Sequence, residues 1–488
     1  MGGLDMINGY EVVVGLEVHA ELSTATKIYC GCKNSFGLEV NTQVCPICLG
    51  MPGTLPKLNE RVVDYAIKMG HALNCGINRI CKQDRKNYFY PDLPKSYQIS
   101  QADIPLCHDG YLDIILENGT KRIGIERIHI EEDAGKLLHS DRFDGSLVDF
   151  NRCGVPLIEI VSRPDLRSSE EARVYLETIR SILRYIDISD CKMQEGSIRC
   201  DVNVSVHKPG EPFGTRCEMK NINSFSAAVR GIDYEAKRQI ALIESGGRVV
   251  QETRRWDDAK GESVSMRQKE DAQDYRYFPE PDLLTIVVSE DRVKELKDSL
   301  PELPNHKILR YIKDCGLSRK DAEVIVDVPE KAELFDGCLE LGCKAPRLAA
   351  NWIIGDISRL MNEGRQISEL GITPERLKKL VEYIQDGRIS NASGKIVFDE
   401  LVSSSGSQSS PDIDAIIEEK SLLQVSDQAA LEELAARVLA ENEKSVFDYK
   451  NGKTNALGYL VGQCMKASGG KANPGAVKEI VLKRLGEL

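Results

Sequence analysis

The stretch Gly15-Leu16-Glu17-Val18-His19-Ala20-Glu21 alternates apolar and polar residues one for one, the pattern of a strand whose successive side chains point to opposite faces. Leu16, Val18, Ala20 and Leu22 share one face, and Glu17, His19 and Glu21 the other. The pattern recurs further along. In residues 197–206, Ile198, Cys200, Val202, Val204 and Val206 fall together, opposite Arg199, Asp201, Asn203 and Ser205. Arg216, Glu218 and Lys220 form the polar side of a third segment, and Glu159 is the single acid within 156–161. Such strands predict an antiparallel or mixed sheet with one apolar face on a core.

The composition of the polar faces carries the chemistry. A sheet face turned to water mixes Lys, Thr and Ser, whereas these faces gather Glu, His, Asp, Asn and Arg. A lone carboxylate such as Glu159 is costly to bury without a charged partner. Carboxylates with one imidazole suit Mg²⁺ or Mn²⁺, and interleaved Arg suits phosphate. A nucleotide–metal site on a sheet is therefore expected, with Arg199, Asp201 and Arg216 among its nucleotide-facing residues. Arg127-Ile128-His129-Ile130-Glu131-Glu132-Asp133 adds a second acidic cluster. Strict alternation groups His129 with Glu131 and leaves Glu132 opposite, but strand ends and bulges break that phase, so both acids stay open. Residues 84–92, dense in charge and aromatics, read as a wall of the same pocket with Arg85 or Lys86 facing phosphate or a carboxylate. An ordinary strand and turn with exposed basic side chains is the alternative.

Cys30-x-Cys32 and Cys45-x-x-Cys48 can close a tetrahedral thiolate site, which predicts structural Zn²⁺ rather than catalysis; the alternative is four reduced core thiols. Fifteen cysteines spread along a long chain with no leader-like start predict reduced thiols and a cytoplasmic protein.

A chain of 488 residues suggests three or so domains. No run approaches the ~20 apolar residues of a membrane span. A formal charge of −12 repels nucleic acid in bulk, so DNA is not an expected partner. Residues 445–488 depart from this, with seven Lys/Arg against three acids. The strand-rich pattern of residues ~10 to ~290 gives way after Pro301-Glu302-Leu303-Pro304 to helical spacing, with Ser318 as an N-cap. Ser403 to Pro411 reads as a Ser-rich linker, and Leu431, Leu434, Ala435, Val438 and Leu439 as an amphipathic helix beyond it. Gly452-Lys453-Thr454 is no P-loop, because position 447 is Phe447 rather than Gly. No amidase signature with a nucleophilic Ser is present, so any ammonia used must come from another polypeptide.

Gly15-Leu16-Glu17-Val18-His19, residues 84–92, 130–136, 156–161 and 274–282, and Gly458-Tyr459-Leu460-Val461-Gly462-Gln463 together resemble the B subunits of the tRNA-dependent aspartyl/glutamyl-tRNA amidotransferases, over essentially the whole chain. The resemblance implies an α+β cradle domain related to glutamine synthetase (1–295, with the four-cysteine site), an all-α middle domain (296–405) and a small α-helical tail that contacts tRNA (406–488). It implies ATP-dependent phosphorylation of the side-chain carboxylate of a misacylated tRNA, then amidation with ammonia from a glutaminase A subunit, in a complex that a C subunit clasps. By motif it gives His19, Glu132 and Glu159 as metal ligands, Glu17 and Asp201 near a second metal, and Lys86 at the mouth of an ammonia channel. It favours Glu132 over Glu131. A stand-alone amide ligase and a zinc-bearing RNA scaffold are the rivals; the basic tail and Ser-rich linker disfavour the first, the acidic faces the second. Gly458 and Gly462, four apart, read first as a close helix-packing pair, with an RNA contact flanked by Lys453, Lys466 and Lys471 as the alternative.

Overall fold

The computed structural model describes residues 6–139, 145–268, 274–405, 411–424, 428–468, 472 and 474–487. It divides into two compact units, Met1–His306 and Lys307–Leu488.

The first unit is built on strands β1 (Glu11–Glu21), β2 (Gly76–Ile77), β3 (Ile80–Cys81), β4 (Asp84–Asn87), β5 (Tyr97–Ser100), β6 (Cys107–Leu116), β7 (Gly119–Glu132) and β8 (Lys136–His139). They continue as β9 (Ser146–Asp149), β10 (Pro156–Ser162), β11 (Ile198–His207), β12 (Cys217–Ile222), β13 (Glu252–Asp257), β14 (Glu262–Gln268), β15 (Phe278–Pro279) and β16 (Ile286–Val287). Among the described residues nine of them form one sheet, in the order β14-β13-β12-β11-β1-β10-β7-β6-β2, which puts β1 at its centre. Pairing is antiparallel except between β12 and β13. A smaller sheet joins β15, β4 and β5.

The alternation read in the sequence sets the faces. Leu16, Val18, Ala20, Ile198, Cys200, Val202 and Val204 are buried in one core. Helices α1 (Glu60–Ala72), α2 (Ser169–Tyr185) and α3 (Phe225–Glu244) add to that core, each started by a side-chain cap from Asn59, Ser168 or Ser224. These helices interrupt what the sequence reading treated as a strand-rich body. Ala172, Tyr175, Leu176, Ile179, Ile182 and Leu183 of α2 are all buried, the three-and-four spacing of a helix stripe.

The second unit is helical. Ser318 caps Arg319–Val326 by accepting from the Asp321 N–H, as expected. Leu431, Ala435, Val438 and Leu439 bury with Leu460, Cys464, Val477 and Val481 in an apolar cluster of their own. Of the Ser-rich linker, residues 406–410 lie outside the described residues, as does Lys471. The packing reading of Gly458 and Gly462 is corrected. Both sit in helix Asn455–Ala467, yet a Cβ added at either would meet nothing within 4 Å, because Leu460 and Cys464 take the buried side. No helix among the described residues is long and apolar enough to cross a membrane.

Candidate active site on the polar sheet face

Register brings the site together. His19 on β1 lies opposite Glu159 on β10 and Arg199 on β11, and Glu159 lies opposite His129 on β7. The His129 Nε2 is 3.2 Å from Glu159 Oε2 and 3.6 Å from Glu131 Oε2, and His19 Nε2 is 3.5 Å from Glu159 Oε2. One ligand atom each from His19, Glu131 and Glu159 lie within 4.8 Å of one another. Ser100 Oγ donates to Glu131 Oε2 at 3.1 Å. Burial opposes ionisation of Glu159, but His129 and His19 outweigh it and hold its carboxyl well below the usual range. Burial likewise opposes the charge of His129, and Glu159 with Glu131 overcomes it, pushing the imidazole up to about 9.

A second cluster lies beside the first. Glu17, Asp201 and Glu218 also bring one oxygen each within 4.8 Å. Lys220 Nζ bridges Asp201 at 2.5 Å and Glu218 at 3.1 Å, and Asn203 Nδ2 donates to Glu17 at 3.0 Å. Burial first, then repulsion from Glu159, Asp201 and Glu218, raises the Glu17 carboxyl. Carboxylates gathered with the His19 imidazole in the first cluster, and a Glu17 carboxyl raised by its acidic neighbours in the second, fit hard divalent cations.

The half-buried Lys86 points its ammonium toward the rings of Tyr88 at 5.8 Å and Tyr275 at 5.1 Å. Burial disfavours its charge, but Glu131 leads the groups that raise its pKa above the lysine norm. The Cys30, Cys32, Cys45 and Cys48 sulfurs also lie within 4.8 Å of one another. Buried Lys27 places its Nζ 3.9 Å from Cys48 Sγ, a positive charge suited to a cluster of thiolates. A closed four-sulfur set fits structural zinc.

The family model described as GatB/GatE catalytic domain matches residues 12–294, and the one described as GatB domain matches 333–485. The B subunit of an aspartyl/glutamyl-tRNA(Asn/Gln) amidotransferase from Caldicellulosiruptor bescii is 55% identical over 481 residues, 98% of this chain and 99% of that protein. Proteins of the same name from Thermoanaerobacter sp. (54%, 98% and 99%) and Clostridium botulinum (52%, 97% and 98%) are also similar. The chain belongs to the family of aspartyl/glutamyl-tRNA(Asn/Gln) amidotransferase B subunits. It is thus one component of a ligase-type, tRNA-dependent amidotransferase.

In this amidotransferase B subunit the structure corrects two expected residues. Glu132 does not join His19 and Glu159. Its carboxylate is held by Lys95 and accepts from the Ile99 N–H at 2.9 Å, so Glu131, the residue that alternation paired with His129, takes the place. Arg85 does not face the cluster either. Its guanidinium is bound bidentately by Glu280 at 2.6 and 2.8 Å and by Asp282 at 3.2 Å, and lies 4.3 Å from the Tyr97 ring centroid. Arg199 lies on the expected face, committed to Asp133 at 2.6 Å. Exposed Arg216 lines a cleft with Gly15 and Glu17. Sequence reasoning missed His129, Glu218 and Lys220 as site residues, although each sits on a polar face that alternation defines.

Proposed function

We propose that this chain uses ATP to activate the side-chain carboxylate of misacylated Glu-tRNA(Gln), Asp-tRNA(Asn) or both. It then converts that carboxylate to the amide with ammonia from a glutaminase A subunit, in a complex completed by a C subunit. The names of its relatives support the substrate class. The supporting observation in the fold is the pair of carboxylate clusters side by side on one sheet face, with Lys86 at their edge. A stand-alone ligase for a small acid would have no use for the basic tail.

A carboxylate resists ammonia because its oxygen leaves poorly. Attack of that oxygen on the γ-phosphorus of ATP, with cleavage of the bond to ADP, turns the oxygen into part of a leaving phosphate. Ammonia then attacks the acyl carbon, the acyl–oxygen bond breaks, and amide, phosphate and a proton remain. Phosphoryl transfer of this kind needs positioning and charge neutralisation more than covalent help. Mg²⁺ or Mn²⁺, when bound, supplies that neutralisation, with His19, Glu131 and Glu159 suited to hold one ion and Glu17, Asp201 and Glu218 another. His129 fixes the orientation of Glu159, as an outer-shell partner does. Lys86 is placed to attract the substrate carboxylate.

We read the first unit as a cradle related to glutamine synthetase, since both would activate a carboxylate with ATP on a sheet face. The four cysteines hold structural Zn²⁺, and the protein works in the cytoplasm. The tail meets tRNA through the exposed face of helix Asn455–Ala467, where Gly458, Tyr459, Gly462 and Lys466 lie. The deciding assay uses Glu159→Ala in the assembled complex with ATP, glutamine and Glu-tRNA. Amide formation is lost while glutaminase activity survives at least in part; normal amidation by the variant removes Glu159 from the mechanism.

A further inference from the structure

The register of the sheet sets side chains in rows across its strands. One row holds Arg199, His19, Glu159 and His129, on β11, β1, β10 and β7. The next row on the polar face holds Asp201, Glu17, Val161 and Arg127 on the same four strands. Arg127 shares its face with His129 and Glu131, because Ile128 and Ile130 are buried in the core on the other. Its backbone stands two strands from that of Glu17, roughly 10 Å at the usual strand spacing. Half-buried Val161 lies between them.

Arg127 is a cation without a counter-ion. Its Nε is buried and has no hydrogen-bond partner among the described residues, and no carboxylate among them forms an ion pair with it. By contrast Arg199 is committed to Asp133 at 2.6 Å, and Lys220 to Asp201 at 2.5 Å and Glu218 at 3.1 Å. His108, opposite Arg127 on β6, is taken by Asp109 at 3.0 Å. A buried donor of a charged group costs stability when it is left unpaired. An anion that arrives from outside explains why the site keeps one.

The surroundings say which anion. Across Val161 lie Glu17 and, with it, Asp201 and Glu218, acids suited to a cation that neutralises phosphate. Arg127 also reaches the aromatic residues around Lys86. Burial raises the Tyr277 phenol, and the nearby charges that act on it include Lys86, Glu131 and Arg127. The Tyr277 ring meets that of Tyr275 edge-on at 5.9 Å, and Lys86 faces Tyr275 at 5.1 Å. Lys86 already has Glu131 as its leading electrostatic partner, whereas Arg127 has no acid of its own. Arg127 thus borders both the phosphate-neutralising acids and the lysine, where an acyl group must lie to be phosphorylated and then meet ammonia.

We propose that Arg127 seats the side-chain carboxylate of the aminoacyl group and keeps hold of one of its oxygens through both chemical steps. The inference rests on the ATP-dependent reading above. A guanidinium matches a planar carboxylate with paired donors, as an ammonium cannot. The carboxylate's other oxygen attacks the γ-phosphorus, and the bond to ADP breaks. The oxygen on Arg127 is then the acyl carbonyl oxygen. When ammonia adds to the acyl carbon, negative charge gathers on that oxygen beside the guanidinium. The carbonyl re-forms as phosphate leaves and nitrogen gives up a proton. The product amide brings no charge to Arg127, so it is held less tightly than the substrate.

The test uses the assembled complex with Arg127→Gln and Arg127→Lys. Binding is measured first, without ATP. The wild-type complex is expected to hold Glu-tRNA(Gln) at least tenfold more tightly than Gln-tRNA(Gln), and Arg127→Gln to hold the two equally. In amidation, Arg127→Gln is expected to raise the KM for Glu-tRNA(Gln) and to lower kcat at least tenfold each, with the KM for ATP within twofold and glutaminase activity intact. Arg127→Lys restores part of kcat. A rise in the KM for ATP alone overturns the assignment and gives Arg127 to the nucleotide phosphates. Normal amidation by Arg127→Gln overturns it too, as does a wild-type complex that binds the two tRNAs alike. Should the variants fail to fold, modification of the wild-type complex with phenylglyoxal decides. Protection of Arg127 by Glu-tRNA(Gln) but not by Gln-tRNA(Gln) supports the proposal; protection by ATP alone, or by the two tRNAs to equal extent, rejects it. If the wild-type complex amidates without ATP, the activation reading fails instead, and the binding comparison still judges the carboxylate seat.

Discussion

Glu131 and Glu132 are adjacent on β7 yet send their carboxylates in different directions, Glu131 to His129 and Ser100, Glu132 to Lys95 and the Ile99 backbone. Substitution should therefore separate their roles. Glu131→Gln is expected to weaken Mn²⁺ binding at least tenfold and to reduce amidation at least a hundredfold. Glu132→Gln keeps Mn²⁺ affinity within twofold but strips one partner from a buried ion pair, a loss of roughly 3–5 kcal/mol of stability. Manganese titration by electron paramagnetic resonance, beside urea unfolding, checks both, and weakened Mn²⁺ binding in Glu132→Gln would reverse the assignment.

Arg85 acts as a clamp between β4 and the segment holding Glu280 and Asp282. Lysine cannot reproduce a bidentate, ring-stacked guanidinium. Arg85→Lys should cost roughly 2–3 kcal/mol, the scale of a lost charge-assisted hydrogen bond, with no change in KM for ATP. A tenfold rise in that KM at unaltered stability would return Arg85 to the nucleotide.

The four-cysteine cluster should carry one zinc ion per chain by elemental analysis. Burial raises Cys32 to about 11, whereas Cys48, hydrogen-bonded with Cys30 and attracted by Lys27, falls to about 5. Cys48→Ser should lose the metal and lower the melting temperature. A metal-free wild-type chain of full stability would show four reduced thiols instead.

Buried Glu235 accepts from Arg238 Nε at 2.9 Å, Arg238 Nη2 at 2.6 Å, Gln239 at 2.8 Å and Ser263 at 3.1 Å. Burial opposes its charge, but Arg238 leads the contacts that lower its pKa. A depressed folded-state pKa contributes stability that is complete above the unfolded value, ~4.3, and is lost as pH falls through the folded value. Glu235→Gln should thus be less stable at pH 7 by roughly 3–5 kcal/mol, with the gap closing below pH ~4. Urea midpoints from pH 7 to 3 measure this, and a gap constant with pH would exclude the linkage.

Removal of residues 411–488 should weaken tRNA binding and flatten its dependence on salt, since phosphate contacts release counterions. Filter binding across a potassium chloride series reads both, and unaltered affinity after truncation rejects the tail as a contact.

The sheet was legible because Leu16–Leu22 and Ile198–Val206 alternate in sequence, and the same alternation grouped Glu131 with His129 even though family resemblance argued for its neighbour. The helices of the first unit were hidden by composition: α2 carries Glu170, Glu171, Arg173, Glu177, Arg180 and Arg184 among its apolar residues, a mixture that dilutes the three-and-four stripe. Arg85 was misjudged because its partners Glu280 and Asp282 lie 195 and 197 positions away, beyond any local pattern. Gly458 and Gly462 misled for a related reason, since their spacing says that a close approach is possible and not that another helix makes it.

The Arg85 clamp bears on how the site comes into being. Tyr275, which lines the surroundings of Lys86, lies in the segment that Glu280 and Asp282 fasten to β4. A nascent chain halted before residue 275 would already hold His19, Glu131 and Glu159 yet leave the lysine with the Tyr88 ring and without that of Tyr275. The surroundings of this half-buried lysine are completed only after more than half of the polypeptide has been made.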